Sequence, residues 1–177
     1  RSKPGELSIA TIGPATTQHI LVEMLKLAGK VNIVYTSFNG GAASVTAAAG
    51  GHVSGVIANY SEVAPQISAG KLRAMAVTTK KRVTALPEVP TMAEQGFKGF
   101  DIATMIGVQL SAGASSALVA KIQGEFAKAM REPDMAERFL ALGMEMRENG
   151  TAHYTQYMKD DIALYAQAIK DAGGRFN

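Results

Sequence analysis

The chain has 177 residues, of which 47% are hydrophobic and 19% charged, and its formal net charge is +3 at neutral pH. That apolar content is enough for the core of one domain, or of one domain and part of another, but no run approaches the ~20 apolar residues of a membrane span. Because cysteine is absent, disulfides, thiolate metal ligands and thiol catalysis are excluded. Basic residues cluster only at Lys80, Lys81 and Arg82, so the sequence predicts no nucleic-acid partner.

The first part of the chain alternates between strand and helix patterns. Apolar runs rich in β-branched residues predict strands, and stripes of apolar residues near a period of 3.6 predict helices. The predicted order is strand Leu7–Ile12, helix Thr17–Leu27, strand Val31–Phe38, helix Ala42–Ala49, strand Val53–Ala58, helix Ser61–Ala69 and strand Leu72–Thr78. This alternation with short connections predicts an α/β fold with a mostly parallel sheet and right-handed crossovers.

The second part of the chain is mostly helical. It follows a basic, irregular stretch up to Val89, in which Pro87 and Pro90 oppose a continuous helix. The predicted elements are a fifth strand at Asp101–Leu110, helices at Ala117–Arg131 and Pro133–Leu142, a short strand at Met144–Arg147 and a last helix at Ala152–Ala172.

Three polar loops of small residues follow the predicted strands, at Gly13–Thr17, Ser37–Gly41 and Asn59–Ser61. The carboxyl ends of parallel strands share one edge of the sheet, where ligands of such folds bind. We therefore expect the loops to gather there. The first loop has two interpretations: an anion site at a helix N-terminus, or a plain turn with a threonine cap.

No pattern typical of catalysis or metal binding is found. His19, His52 and His153 lack the spacing of zinc ligands, and there is no nucleophile elbow, P-loop or dinucleotide motif. His19 either orients the loop before it or only satisfies a local hydrogen bond. Glu62 lies near the loops, where a favourable charge in a first helical turn explains it equally well. We expect binding, with no enzyme activity, no metal and no cofactor.

Four segments carry a family resemblance. They are PGELSIATIGPATTQHI, then YTSFNGGAASVTAAAGGHVSGVIAN with APQISAGKLRAMAVTTKKR, then TALPEVPTMAEQGF continuing to VQLSAG, and the helical tail. Together they resemble the Bug-type extracytoplasmic solute receptors of the tripartite tricarboxylate transporter family. Three positions depart from that family's usual pattern: Ala15 replaces a common Gly, Ala58 replaces a frequent Asp, and Tyr60-Ser61-Glu62 replaces a common Leu-Pro-Ser.

The resemblance implies a periplasmic-binding-protein-like fold of type II. Residues 1–100 would form the second α/β ligand-binding lobe, and residues 101–177 a return segment of the first lobe, without its partner strands. The implied function is that of a periplasmic receptor that binds a small carboxylate or dicarboxylate and partners the membrane subunits of a transporter. The implied ligand-binding residues are Gly13, Ala15, Thr16, Thr17, Phe38, Asn39 and Asn59, supported from behind by Thr11 and His19.

The length of the chain adds a further expectation. Members of the family begin with another α/β segment, so this chain resembles a truncated form. Its polar N-terminus fits a chain without a signal peptide, one whose signal peptide has been removed, or one that starts within a longer protein. The alternative function is a self-associating structural or regulatory one-lobe module that binds no solute, with a homodimer formed through the apolar C-terminal helices.

Overall fold

The computed structural model describes residues 5–145 and 150–171. In these ranges the chain forms β1 (Leu7–Thr11), α1 (Thr17–Gly29), β2 (Ile33–Ser37), α2 (Gly41–Ala49), β3 (Gly55–Val56), α3 (Tyr60–Ser68), α4 (Ser116–Ala129), α5 (Pro133–Ala141) and α6 (Thr151–Asp171). Each predicted helix is confirmed to within two residues at its described ends. None of these helices has the length and apolar character that crossing a membrane requires.

The three strands form one parallel sheet in the order β2-β1-β3. Leu7 of β1 lies opposite Ile33 of β2, and Ile9 of β1 lies opposite Gly55 of β3. The central strand β1 is therefore paired on both sides. The prediction of an α/β fold with a parallel sheet is confirmed.

Two separate apolar clusters cover the sheet. In one, Ala10 of β1 packs with Ala47 and Ala48 of α2 and with Val53, where small side chains let helix and sheet approach closely. The other joins Leu21 of α1 to the segment after residue 96 and to the end of α6. The right-handed crossovers expected from the sequence stay a prediction.

The described chain divides into two compact units. One holds the residues through Thr104 together with α6 from Leu164 onward, and the other holds Met105–Ala163. The first unit contains the whole sheet and α1 to α3. The lobe boundary expected between residues 100 and 101 stays a prediction, because a division by packing does not say to which lobe of a receptor a segment corresponds.

The fourth predicted strand, Leu72–Thr78, is wrong. The structure has only a single parallel bridge here, between Val77 and Thr91. The Val77 amide donates to the Pro90 carbonyl at 2.9 Å, and the Met92 amide donates to the Val77 carbonyl at 2.9 Å. Pro90 has no amide hydrogen with which to extend the ladder.

The fifth predicted strand, Asp101–Leu110, is also wrong, and the third is shorter than expected. In the fifth, the Ile102 amide donates to the Thr78 carbonyl at 3.0 Å, but residues 101–110 form no strand. The third reduces to Gly55–Val56. Met144 and Glu145 form no strand, and residues 146–147 of that prediction lie outside the described ranges. Strand-like composition gives a strand only where a neighbour supplies complementary N–H and C=O groups.

Candidate functional site

The loops that follow β1 and β2 meet at the carboxyl edge of the sheet, as predicted. The Phe38 amide donates to the Thr11 carbonyl at 2.9 Å. A Cβ placed on Gly13 would lie 3.7 Å from Ser37 Oγ, and the φ of Gly13 is 135°. The Cβ distance is an ordinary contact, so it is the positive φ of the turn that favours glycine at this position.

The loop after β3 reaches the loop after β2 through Glu62. Asn59 and Glu62 form a capping box at the start of α3, in which Glu62 Oε2 accepts from the Asn59 amide at 2.9 Å. A Cβ on Gly41 would overlap the Glu62 carboxylate. The carboxylate therefore lies against the first residue of α2 while it caps α3, and the predicted gathering of the three loops is confirmed.

Thr16 caps α1 and closes the loop before it. Its Oγ1 accepts from the His19 amide at 3.4 Å and donates to the Gly13 carbonyl at 2.8 Å. A hydroxyl has only one hydrogen to donate. In this arrangement the Thr16 hydroxyl stabilises the loop, and its hydrogen is not available to a ligand.

His19 orients the loop through a second hydrogen bond. The Ala15 amide donates to its Nδ1 at 3.2 Å, so Nδ1 carries no hydrogen and the neutral ring carries its hydrogen on Nε2. The ring is 1% exposed and its centroid is 4.0 Å from that of Tyr35. Burial lowers the pKa of His19, while Glu23, whose Oε1 is 3.7 Å from Nε2, raises it. Of the two roles considered for His19 from the sequence, the geometry shows the first, in which His19 orients the loop before α1.

The open donors of the loop are at the first two helical positions. The amides of Thr17 and Gln18 have no acceptor in the part of the chain that the structure describes, as expected for the first turn of a helix. Thr17 Oγ1 lies 3.4 Å from the Tyr165 hydroxyl. No acidic residue lies in this turn. Two amides at a positive helix end suit one carboxylate. The Thr17 hydroxyl adds a third donor when Tyr165 is the donor in their hydrogen bond, because either hydroxyl can donate.

The Gln18 amide is not among the donors expected from the sequence, although the signal for it is present there. A cap at Thr16 makes Thr17 and Gln18 the first two helical residues, whose amides are the open ones. The expected donor Ala15 is instead the partner of His19.

The remaining expected site residues occupy different surroundings. Phe38 packs against the cluster beneath α2, whereas Asn39 is exposed. Asn59 is exposed, and its side chain caps α3. Thr11 is fully buried, and its Oγ1 has no hydrogen-bond partner among the described residues.

The described part of this edge holds no cluster of metal ligands. No group of three or more potential metal ligands is present among the residues that the structure describes. A groove of about 390 Å³ lies instead at the start of β1 and the end of α1, where Leu7, Gly29 and Phe97 line it. The Thr17 and Gln18 amides belong to the other edge, where Thr17 is half-buried and Gln18 is 7% exposed.

The parallel sheet with its helices is an α/β unit, and its structural match to the periplasmic binding protein BugD shows a fold of the periplasmic-binding-protein class. The family model of the tripartite tricarboxylate transporter family receptor matches residues 1–173. The chain belongs to this receptor family.

Individual relatives agree with this assignment. A UPF0065 protein encoded in the tcbD-tcbE intergenic region of Pseudomonas sp. (strain P51) is 32% identical over 146 residues, which is 82% of this chain and 44% of that protein. Among solved structures, R. palustris Rpa4515 with adipate has a TM-score of 0.88 at 26% identity, over 97% of this chain and 57% of that one. The periplasmic binding protein BugD has a TM-score of 0.82 at 28% identity, over 97% and 58%. The chain thus spans about half the length of the relatives it matches.

Ala15 provides a test of the loop's strain. Its φ of 57° is left-handed, a conformation that costs a non-glycine residue about 1–2 kcal/mol. Ala15→Gly should raise the free energy of unfolding by about 1 kcal/mol, after allowance for the freer unfolded chain, as measured by urea unfolding. Ala43→Gly, at an exposed position within α2, should lower it by about 0.5–1 kcal/mol. A lower free energy of unfolding in both variants would contradict the strain assigned to Ala15.

His19 provides a test by pH. Because burial lowers its folded-state pKa from the ordinary 6.5, the neutral ring stabilises the fold fully above that value, and this stability is lost as the pH falls below it. Urea unfolding at pH values above and below 6.5 should show a smaller decrease for His19→Asn than for the parent chain. His52→Asn, at an exposed position, should match the parent. Equal decreases in all three proteins would exclude His19 as the source.

Proposed function

We propose that this chain is the part of a solute receptor that binds a small carboxylate or dicarboxylate for a tripartite tricarboxylate-type transporter. The observation that carries the proposal is the pair of open amides at Thr17 and Gln18, beside the Thr17 hydroxyl. Such donors at a helix N-terminus select for negative charge. The related protein Rpa4515 was solved with adipate, which is a ligand of the same chemical class.

The proposed role is binding rather than catalysis, in the periplasm. Support comes from the receptor family and from the periplasmic binding protein BugD. His19 is the titratable residue next to Gln18 in the sequence. It is buried, and its Nδ1 accepts a hydrogen bond from the Ala15 amide of the loop. It is therefore placed to orient the loop and not to exchange a proton with a ligand.

The proposed receptor is longer than this chain. Because the matched structures are nearly twice as long, we place only one part of the ligand's contacts in the described loops. The other contacts would come from residues outside this chain, in the manner of two lobes that close on a ligand. In this proposal the chain is a truncated form that retains one half of the site.

Thr17→Val tests the proposed site, because it removes the hydroxyl and keeps the amide. Affinity for adipate should fall by roughly 10- to 150-fold, since a hydrogen bond to a charged group contributes roughly 1.5–3 kcal/mol. Titration followed by the ¹⁵N-NMR shifts of the Thr17 and Gln18 amides measures even weak binding at the site itself.

Tyr165→Phe is the matched control, because it removes the partner of Thr17 and leaves the Thr17 hydroxyl in place. It should bind adipate at least as well as the parent chain. Unchanged affinity in Thr17→Val, or shifts confined to amides outside this loop, would overturn the assignment.

Self-association is a second candidate function, favoured by one observation in the unit Met105–Ala163. Large apolar side chains are exposed there, with Ile106 at 74% and Ile162 at 63%. An apolar surface of several such residues promotes association. We propose that two copies associate through this unit, including its C-terminal helices.

Sedimentation velocity over a wide range of concentrations tests the second candidate. The parent chain should gain mass with concentration, and Ile162→Gln should shift the association to higher concentration. Val34→Gln, which changes an exposed apolar residue of the other unit, should leave it unchanged. A monomer at every concentration would exclude this function.

A further inference from the structure

Residues 71–76, which we call the edge segment, follow α3 and have the side-chain alternation of a strand. Exposed and half-buried residues alternate along it: Lys71, Arg73 and Met75 are exposed, and Leu72, Ala74 and Ala76 are half-buried. Successive side chains of an extended chain point to opposite faces. Leu72 packs against the cluster beneath α2, so one face of the edge segment lies against the core and the other faces solvent.

The backbone of the edge segment has open hydrogen-bonding groups. In the described chain, the amides of residues 73–76 donate to no acceptor and their carbonyls accept from no donor. Hydrogen bonds resume at Val77, whose amide donates to the Pro90 carbonyl. An unpaired backbone group is costly where it is buried, and none of the residues of the edge segment is buried. These groups are therefore available to water or to a partner chain.

The exposed face of the edge segment is positively charged. Between Glu62 and Glu88 the sequence has five basic residues and no acidic one. Two of the five, Lys71 and Arg73, lie on the exposed face of the edge segment. Neither forms an ion pair with a carboxylate in the part of the chain that the structure describes. The face therefore carries two positive charges without a counter-charge.

Charge and composition indicate which kind of partner fits. An open strand edge can pair with another extended chain, but two copies of the edge segment would bring their basic side chains together, and like charges opposite each other are destabilising. A single-stranded nucleic acid needs aromatic side chains for stacking, and none lies between Tyr60 and Phe97. A lipid surface offers no row of alternating donors and acceptors. The complementary partner is an extended, acidic polypeptide.

We propose that the edge segment binds an extended acidic segment of a partner protein by strand addition. The partner's backbone pairs with the open groups of residues 73–76, and its acidic side chains lie beside Lys71 and Arg73. Main-chain hydrogen bonds supply affinity, and the charges select the partner. The edge segment shares no residue with the loops proposed to bind a carboxylate, so this inference goes beyond the proposed function and does not depend on it.

A capped peptide of sequence Glu-Val-Glu-Thr-Glu-Val-Glu, titrated into the whole chain, tests the proposal. The ¹⁵N-NMR shifts should change most at residues 73–76. Alternate amides of a strand point to the same edge. Hydrogen exchange should therefore slow on binding either at residues 73 and 75 or at residues 74 and 76. Without peptide, all four amides should exchange faster than the hydrogen-bonded amide of Val77.

Two matched peptides separate strand pairing from attraction of charge. The same sequence with lysine in place of glutamate should not bind. The fully N-methylated glutamate peptide keeps its charge but has no backbone donors, so it should bind at least about tenfold more weakly.

A double variant tests the two basic residues. Lys71→Gln with Arg73→Gln should weaken binding of the glutamate peptide by about two- to thirtyfold, as expected for the loss of two exposed ion pairs. Lys121→Gln with Lys159→Gln is the matched control, because it removes the same charge from exposed positions of the other unit. It should bind the peptide as the parent chain does. Equal weakening in both double variants would overturn the assignment to the edge segment.

Three further outcomes would overturn strand addition: no binding of the glutamate peptide, equally tight binding of its N-methylated form, or no slowing of exchange at residues 73–76. If vesicles of phosphatidylglycerol shift these amides and the peptide does not, the face belongs to a lipid surface and the proposal is wrong. None of these results bears on the carboxylate site, because adipate binding is measured at Thr17 and Gln18.

Discussion

The pairing of β1 on both sides by parallel strands is the constraint on which the rest of this structure depends. Since β2 and β3 run in the same direction as β1, all three strands end at the same edge of the sheet. Each strand is followed by a helix that begins at that edge. A reversed outer strand would carry its helix N-terminus to the opposite edge. The concentration of polar loops and positive helix ends at one place thus follows from strand direction, before any side chain is considered.

At that edge, hydrogen bonds within the loops determine which backbone and side-chain donors have no acceptor in the described chain. His19 accepts from Ala15 and Thr16 donates to Gly13, while Glu62 accepts from Asn59. These contacts hold the loops in place without a ligand, so little ordering is needed on binding. The amides of Thr17 and Gln18 are what this arrangement leaves open, and they belong to a helix whose position the core fixes.

Much of the fold was readable from the sequence because its signals are local. Thr16 and Ser115 cap helices, and Pro133 begins one. The strand at Leu72–Thr78 was misread because its outcome depends on a distant partner, which proved to be a proline-containing segment. The site was only partly predictable. The alternation of strands and helices predicted that the loops meet. The hydrogen bond from the Ala15 amide to His19 depends on distances in the folded loop, which the spacing of residues in the sequence does not give.

The open donors belong to the main chain, and this affects how the family can diverge. Every amino acid except proline supplies the same N–H at positions 17 and 18, whatever its side chain. Under the proposed function, drift in sequence can therefore alter the side chains of the site without removing the two amides, provided that the cap and the helix persist. Matched structures at 26% and 28% identity keep the fold, so the backbone shape is retained where most residue identities are not.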